Sequence, residues 1–275
     1  MKRLAILAVL LLTGCLAEPP AEPEPIDYAE LAQTALAGQA GVVEVALTQD
    51  PDESVTLGVT MADTATVEQV EQIAEAVQAF CTEYAVPGQW TAGVGFELID
   101  QEPDDDLPAQ DHSGFPVYPE AVDAADFMAV KGAPGVRSAL FGSGFPFVTV
   151  ASASDLLPTH ELLNGMPLWQ QGGTLWAENG RVRLTELPDS LTPAGYDLII
   201  AASVAYPAAQ FWLEAPTTGH GWPQLFVDQV SVDEAPAVAT ALGTPTNAAA
   251  FDVNFFIRAI GPDGPVDSGG VLGKS

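Results

Sequence analysis

The feature of this sequence that most constrains its fold is a repeated change of hydrophobic period, from about 2 residues in a strand to about 3.6 in a helix. Residues 54–61 alternate apolar and polar side chains, which predicts a strand with one buried and one solvated face. Thr66, with Gln69 three positions later, predicts the capping box of a helix. Apolar residues then recur every three or four positions as far as Tyr84. Alternation returns over 90–99, so the order of elements is typical of an α+β chain.

The same order of elements recurs along the chain and divides it into units. Each unit is predicted to contain helix, strand, strand, helix and strand (αββαβ). Residues 39–42 (Gln-Ala-Gly-Val) lead into a strand in the same way as residues 133–136 (Ala-Pro-Gly-Val). The units are predicted over 27–99, 121–187 and 188–262. For the third, the alternative is that its order of helices and strands matches the others by chance. The predicted fold class is therefore α+β, with two to three small αββαβ units whose antiparallel sheets are backed by helices.

Three segments with little apolar periodicity lie outside these units. Residues 15–26 alternate proline and acidic residues, which favours an extended, solvated tether. Residues 100–120 are rich in acidic residues and proline, which predicts an exposed acidic linker. Residues 263–275 are predicted to form a flexible tail.

The N-terminus has the anatomy of an export signal. Lys2 and Arg3 precede an unbroken apolar run over 4–12, and small residues follow. The run is too short to span a membrane. Leu12-Thr13-Gly14-Cys15 resembles the bacterial lipobox, which implies removal of residues 1–14 as a lipoprotein signal peptide and acylation of Cys15. Because two or more acyl chains give stable anchoring, the expected location is the extracytoplasmic face of the cell membrane.

The charge of the chain excludes one class of partner. It contains 37 acidic and 8 basic residues, for a formal net charge of -29, and signal cleavage would also remove Lys2 and Arg3. Binding to nucleic acid depends largely on cationic contacts to phosphate, so no nucleic-acid role is expected. Anionic lipid headgroups are repelled for the same reason, and the expected contact with the membrane is the lipid on Cys15.

Cysteine and histidine residues give little sign of a reactive or metal site. Cys81 lies beside Phe80 on the predicted helix face, where a free thiol behaves as a small buried hydrophobe. The segment that starts at His160 begins like a zinc-protease helix (His-Glu-Leu-Leu-Asn), but Asn164 stands where the second histidine is required. The acidic run beside His112 could attract a cation, yet it lacks the ligand spacing of a calcium loop, and a solvated run is favoured. No metal and no cofactor are predicted.

No set of residues satisfies a catalytic motif. Ser143 lies between Gly142 and Gly144, but a nucleophile elbow needs Gly-x-Ser-x-Gly, and Phe141 stands in the place of the first glycine. These glycines are better explained by a β-hairpin turn. No catalytic residue is therefore assigned, and the protein is not expected to be an enzyme.

Aromatic residues are concentrated in the C-terminal half. Trp169, Trp176, Trp212 and Trp222 all lie there, together with several phenylalanines. Rings of this size usually fill a core, but exposed rings would be able to stack on a glycan or another ligand. Alternation places Trp212 on the face opposite Phe211, and residues 219–223 form a predicted loop. The candidate ligand-binding residues are accordingly Trp212, His220 and Trp222.

A family resemblance adds a functional expectation. Three segments resemble the BON-type domains of bacterial envelope proteins. They are Gly41-Val42 at the start of a strand, the polar-faced strand 54–60 and the Glu/Ala-rich helix that follows. The resemblance covers 27–99 and, more loosely, 121–187. The resemblance implies an envelope-facing adaptor or lipid-proximal binding module without catalysis.

Three functions remain open from the sequence. The first is a lipid-anchored extracytoplasmic envelope protein with a non-catalytic binding or scaffolding role. The alternative is a solute- or glycan-binding lipoprotein that uses the C-terminal aromatics. An extracytoplasmic hydrolase is third, since catalytic triads are assembled in space rather than in sequence. The expected partners are the membrane, through Cys15, and an envelope protein or a glycan.

Overall fold

The structure is a computed structural model that describes residues 26–50, 54–97, 112–142, 145–177, 180–216, 221–262 and 264–274. Within these ranges the chain forms six α-helices and one twelve-stranded mixed sheet. The helices are α1 (Tyr28–Leu36), α2 (Val67–Tyr84), α3 (Ala124–Lys131), α4 (Leu156–Asn164), α5 (Pro193–Ala205) and α6 (Ala235–Leu242). The strands are β1 (Val42–Gln49), β2 (Val55–Met61), β3 (Trp90–Phe96), β4 (Gly114–Tyr118), β5 (Val136–Phe141), β6 (Pro146–Val150), β7 (Gly173–Ala177), β8 (Val182–Glu186), β9 (Gln210–Glu214), β10 (Gln224–Ser231), β11 (Asn254–Gly261) and β12 (Gly264–Val271). The predicted α+β class is confirmed.

The strands are arranged in the sheet in the order in which they occur in the chain. Strands β1 and β2 pair antiparallel, β2 and β3 pair parallel across α2, and this alternation continues to β12. The repeating unit is therefore one helix followed by an antiparallel strand pair (αββ). The described part of the chain contains six such units in one continuous mixed sheet, instead of two to three αββαβ units with antiparallel sheets.

Three strands account for this difference from the sequence prediction. Gly114–Tyr118 forms β4 inside the predicted linker 100–120, and Gly264–Val271 forms β12 inside the predicted tail 263–275. Strand β7 is the third. None of them alternates apolar and polar residues: β7 is buried at four of five positions, and most of β12 is exposed on both faces. The pattern that predicts the other strands is absent from these three.

The helices form a layer on one face of the sheet. Each helix contacts the first strand of its own unit, and each contacts the next helix along the chain, from α1 to α6. This follows from topology, because a crossover between parallel strands is almost always right-handed, and crossovers that all advance in one direction place every helix on the same side. The hydrophobic core lies between the helix layer and the sheet.

A glycine in the left-handed region recurs where a helix leads into a strand. These glycines have φ values between 81° and 85°. Three of them directly precede a strand: Gly41 before β1, Gly135 before β5 and Gly172 before β7. The fourth, Gly88, lies two residues before β3. Residues with a Cβ adopt this conformation at a cost of about 1–2 kcal/mol. The similarity between 39–42 and 133–136 in the sequence therefore reflects a shared turn.

Helix α2 has the local structure that the sequence predicts. The Thr66 side chain accepts from the Gln69 backbone N–H, and the Gln69 side chain accepts from the Thr66 N–H, which completes the capping box. Cys81 is fully buried, as expected, and desolvation raises the pKa of its thiol from 9.0 to about 11. A protonated thiol of this kind is chemically inert.

The predicted signal peptide, Cys15 and nearly all of the tether lie outside the described residues, as does the acidic run 100–111. Within the described ranges, no helix has the length and apolar character needed to cross a membrane.

Candidate functional site: an aromatic row on the uncovered sheet face

One face of the sheet is covered by helices, and no described helix or strand lies over the other. Along the strands every second residue points to this open face. In the N-terminal part of the sheet these residues are small or polar: Thr48, Thr56 and Thr91 are neighbours across β1, β2 and β3, and the hydroxyls of Thr56 and Thr91 are 3.3 Å apart. The open face of this fold therefore does not require large side chains.

The C-terminal part of the same face carries a row of large side chains in register. Its members, one from each of five adjacent strands, are Trp176 on β7, Arg183 on β8, Trp212 on β9, Phe226 on β10 and Phe256 on β11. Neighbouring strands are about 4.8 Å apart, so the row is about 19 Å long. We call these five residues the aromatic row.

Three of the four rings of the aromatic row, those on β9, β10 and β11, stack on one another. The ring centroids of Trp212 and Phe226 are 5.4 Å apart, and those of Phe226 and Phe256 are 5.6 Å apart, with interplanar angles of 27° and 25°. Phe256 pairs with Gly269 on β12, which has no side chain to cover it, and Phe256 is 45% exposed. The row is therefore ordered by cross-strand contacts but stays accessible to solvent.

A groove of about 720 Å³ opens on this face between Trp176 and Trp212. Arg183 lies between the two indoles in the sheet register, with its guanidinium carbon 5.4 Å from the centroid of the Trp176 ring. Thr185, Gln210 and Glu214 also line the groove. The arrangement offers aromatic walls, one cation and several hydrogen-bonding groups to a ligand.

The sequence-predicted site residues are not all brought together. Trp212 is in the aromatic row and shares its face with Glu214, as alternation predicts. Trp222 is 55% exposed, but it lies in the β9–β10 connection and is not part of the groove lining. His220 lies outside the described residues. Trp169 is buried in the core, which agrees with the packing alternative for that residue.

Sequence reasoning did not find Trp176, Arg183 or the two phenylalanines of the row as site residues. Strand alternation places Arg183 on the face opposite Val182 and Leu184, so its exposure is readable from the sequence. Its position between two tryptophans depends on the parallel pairing of β8 with β9, which no local pattern contains.

A second concavity, of about 900 Å³, lies near the ends of β4 and β5. These two strands share a single paired position, Gly114 with Leu140, so the sheet is weakly joined there. Two carboxylates in the lining belong to the first turn of α3, where Asp123 caps the helix by accepting from the N–H groups of Ala125 and Asp126. The cap explains Asp123, and an acidic side chain such as that of Asp126 is favourable in the first turn of a helix.

His160 belongs to a buried polar cluster that joins α4, β8 and α5. Its Nδ1 lies 2.7 Å from Oε1 of Glu186, and the hydroxyl of Tyr196 donates to the same oxygen. All three side chains are buried, and Glu186 is 0% exposed. Burial, followed by the charge of Glu186, raises the pKa of Tyr196 well above its ordinary value. The cluster cross-links three elements inside the core.

The described residues contain no group of three His, Cys, Asp or Glu side chains that would hold a metal ion. No serine is hydrogen-bonded to His160 in this part of the chain. Ser143 lies outside the described residues, in the connection between β5 and β6; these strands pair antiparallel up to Phe141 and Pro146, as a hairpin requires.

Comparison with known proteins gives no relative: no family model, no curated protein and no solved structure matches this chain.

Proposed function

We propose that this protein is a lipid-anchored extracytoplasmic binding protein that holds a glycan or a similar solute on the open face of its sheet. The observation that carries the proposal is the aromatic row, which places four rings and one guanidinium in a line on a surface that no described element covers. Exposed aromatic surface of this kind is typical of a binding site.

The fold itself does not explain the row. On β1, β2 and β3 the same face carries only small or polar residues, mostly threonine and glycine, and those strands are part of the same sheet. Large rings that are left partly in water forgo the stabilisation that burial would give, about 25 cal/mol per Å² of apolar surface. Binding of a ligand would cover that surface.

A glycan suits the chemistry of the face better than a purely apolar ligand. The apolar faces of sugar rings stack on aromatic side chains, while their hydroxyls form hydrogen bonds. Polar side chains lie on the strands beside the row, and Thr185, Gln210 and Glu214 line the groove next to it. The alternative of a binding or scaffolding role towards an envelope protein uses the same face.

The location is proposed from the N-terminal sequence alone. Lys2, Arg3, the apolar run and the lipobox-like Leu12–Cys15 segment favour export and acylation of Cys15. In cells, Cys15→Ala is expected to block processing and to release the protein from the membrane fraction. An unchanged mass and unchanged membrane partition in this variant would contradict the anchor.

The binding role is tested by tryptophan fluorescence, with titration of soluble cell-wall and polysaccharide fragments. Trp212→Ala is expected to weaken glycan binding at least tenfold, because it removes one wall of the groove. Trp222→Ala is the matched control, an exposed tryptophan outside the groove, and is expected to keep the native affinity.

Two results would count against the proposal. One is the absence of any ligand-dependent change across the panel in the native protein. The other is loss of binding in Trp222→Ala with full binding in Trp212→Ala, which would move the site to the β9–β10 connection. A hydrolase is not proposed, because His160 is closed off from solvent, is hydrogen-bonded to Glu186 and packs against the ring of Tyr196.

A further inference from the structure

We infer that the ligand of the groove is an acidic saccharide, whose carboxylate binds Arg183 while its ring contacts Trp176 and Trp212. This inference rests on the proposed function and specifies the ligand class. It depends on one observation: among the described residues, Arg183 has no hydrogen-bond or ion-pair partner, although the protein is strongly acidic.

The other described lysine and arginine side chains are already engaged. Lys131 pairs with Asp63, Arg258 with Asp267 and Lys274 with Asp252, Arg181 donates to the carbonyl oxygens of Ser203 and Ala209, and Arg137 also has a partner. Arg183 differs. Among the described residues its guanidinium has no hydrogen-bond or ion-pair partner, and it lies against the Trp176 ring in a cation–π contact.

An unpaired guanidinium is unexpected in a chain with 37 acidic and 8 basic residues. Carboxylates are abundant, and Glu214 lines the same groove, yet it forms no ion pair with Arg183. Arg183 is exposed, and the register holds it between two indoles. Its donors therefore point into a groove with aromatic walls and are available to an anion that enters it.

The geometry of the guanidinium selects the kind of anion. Its planar fork of donors matches a carboxylate or a phosphate through two parallel hydrogen bonds. A single cation in a protein of net charge -29 favours a group with one negative charge over a phosphate dianion, because the surrounding field opposes each added charge. A carboxylate meets this condition.

The remaining groups in the groove specify the rest of the ligand. The Glu214 carboxylate accepts hydrogen bonds and donates none, so it calls for hydroxyl donors. Thr185 and Gln210 both donate and accept. A sugar ring that carries one carboxylate and several hydroxyls supplies both sets of partners, and its apolar face fits the indoles. A hexuronic acid unit within a polysaccharide has this chemistry.

The test compares aldotriouronic acid, an oligosaccharide that carries one hexuronate unit, with its methyl ester, so the two probes differ in a single charge. With the native protein, the free acid is expected to bind at least tenfold more tightly than the ester, measured by calorimetry. Arg183→Gln is expected to abolish that difference. Lys274→Gln, which removes the same charge away from the groove, is the matched control and should retain the difference.

The outcomes separate this inference from the proposed function. Equal affinity for acid and ester, or binding of neither, overturns the acidic-saccharide inference. Loss of the preference in Lys274→Gln as well as in Arg183→Gln also overturns it, because the effect would then come from net charge. The proposed function is decided separately by the glycan panel and Trp212→Ala. If Arg183→Gln fails to fold, the comparison of acid and ester on the native protein still decides the matter.

Discussion

Replacing Gly172 by alanine is expected to destabilise the protein far more than the same change at Gly88, although both glycines have a φ value near +80°. The comparison tests the recurring turn that joins helix to strand. At Gly88 an added Cβ would meet no atom within 4 Å, so only the backbone conformation is penalised. We expect the free energy of unfolding to fall by about 1 kcal/mol in Gly88→Ala. The left-handed conformation destabilises the folded state, and the lower entropy of the unfolded chain offsets part of that cost.

At Gly172 two further terms are added. The residue has φ 83° and ψ -171°, a region that is essentially accessible to glycine alone. Its Cβ would lie 2.0 Å from the carbonyl oxygen of Glu186 and 2.9 Å from the Cα of Leu187. Both are backbone atoms of the β8 end, which a rotamer change cannot move. Strain and overpacking together give an expected loss of at least about 3 kcal/mol.

The measurement is urea unfolding followed by circular dichroism, with the free energy of unfolding extrapolated to water. Gly38→Ala is the control, because an added Cβ meets nothing within 4 Å and the residue has no positive φ; it should stay within about 0.5 kcal/mol of the native protein. A Gly172→Ala variant no less stable than Gly88→Ala would refute the placement of the α4–β7 turn against β8.

Two further predictions concern buried groups. The pKa of the Cys81 thiol is about 11 in the folded protein against 9.0 for an ordinary thiol, so the folded state holds the proton more tightly. The stability that this gives is present below pH 9, and about 2–3 kcal/mol of the free energy of unfolding is lost by pH 11. Between pH 8 and 11 (about the range of these pKa values), the free energy of unfolding should therefore decline less steeply with pH in Cys81→Ala than in the native protein. An unchanged slope would contradict burial of the thiol. Tyr196→Phe removes a hydroxyl that donates to Glu186 and should cost about 1.5–3 kcal/mol, measured by urea unfolding at neutral pH. A neutral result would show that the cluster does not support the core.

Local features of the fold follow from the sequence because caps and periodicity act between residues close in the chain. The Thr66–Gln69 capping box is readable as a four-residue motif, and α2 begins where it predicts. Strand β2 alternates because one face packs under helices while the other meets solvent. Both predictions are confirmed.

The number and joining of units could not be predicted in the same way. The αββαβ units of the sequence prediction omit β4, β7 and β12, and these are the strands without alternation. Addition of these strands turns the predicted order into a uniform series of αββ units. Whether adjacent units share one sheet depends on pairing between residues far apart in the chain, for example β8 with β9 across α5.

The candidate site likewise has features that the sequence predicts and others that depend on the tertiary structure. By itself the sequence determined which face of its strand each ring occupies, because side chains alternate with the pleat; Trp212 opposite Phe211 is one instance. Only the tertiary structure decided which of those side chains are neighbours. Strand register is set by non-local hydrogen bonding and by the packing of the crossover helices, and it places Arg183 between Trp176 and Trp212. A groove with an unpaired cation between two indoles exists only in that register.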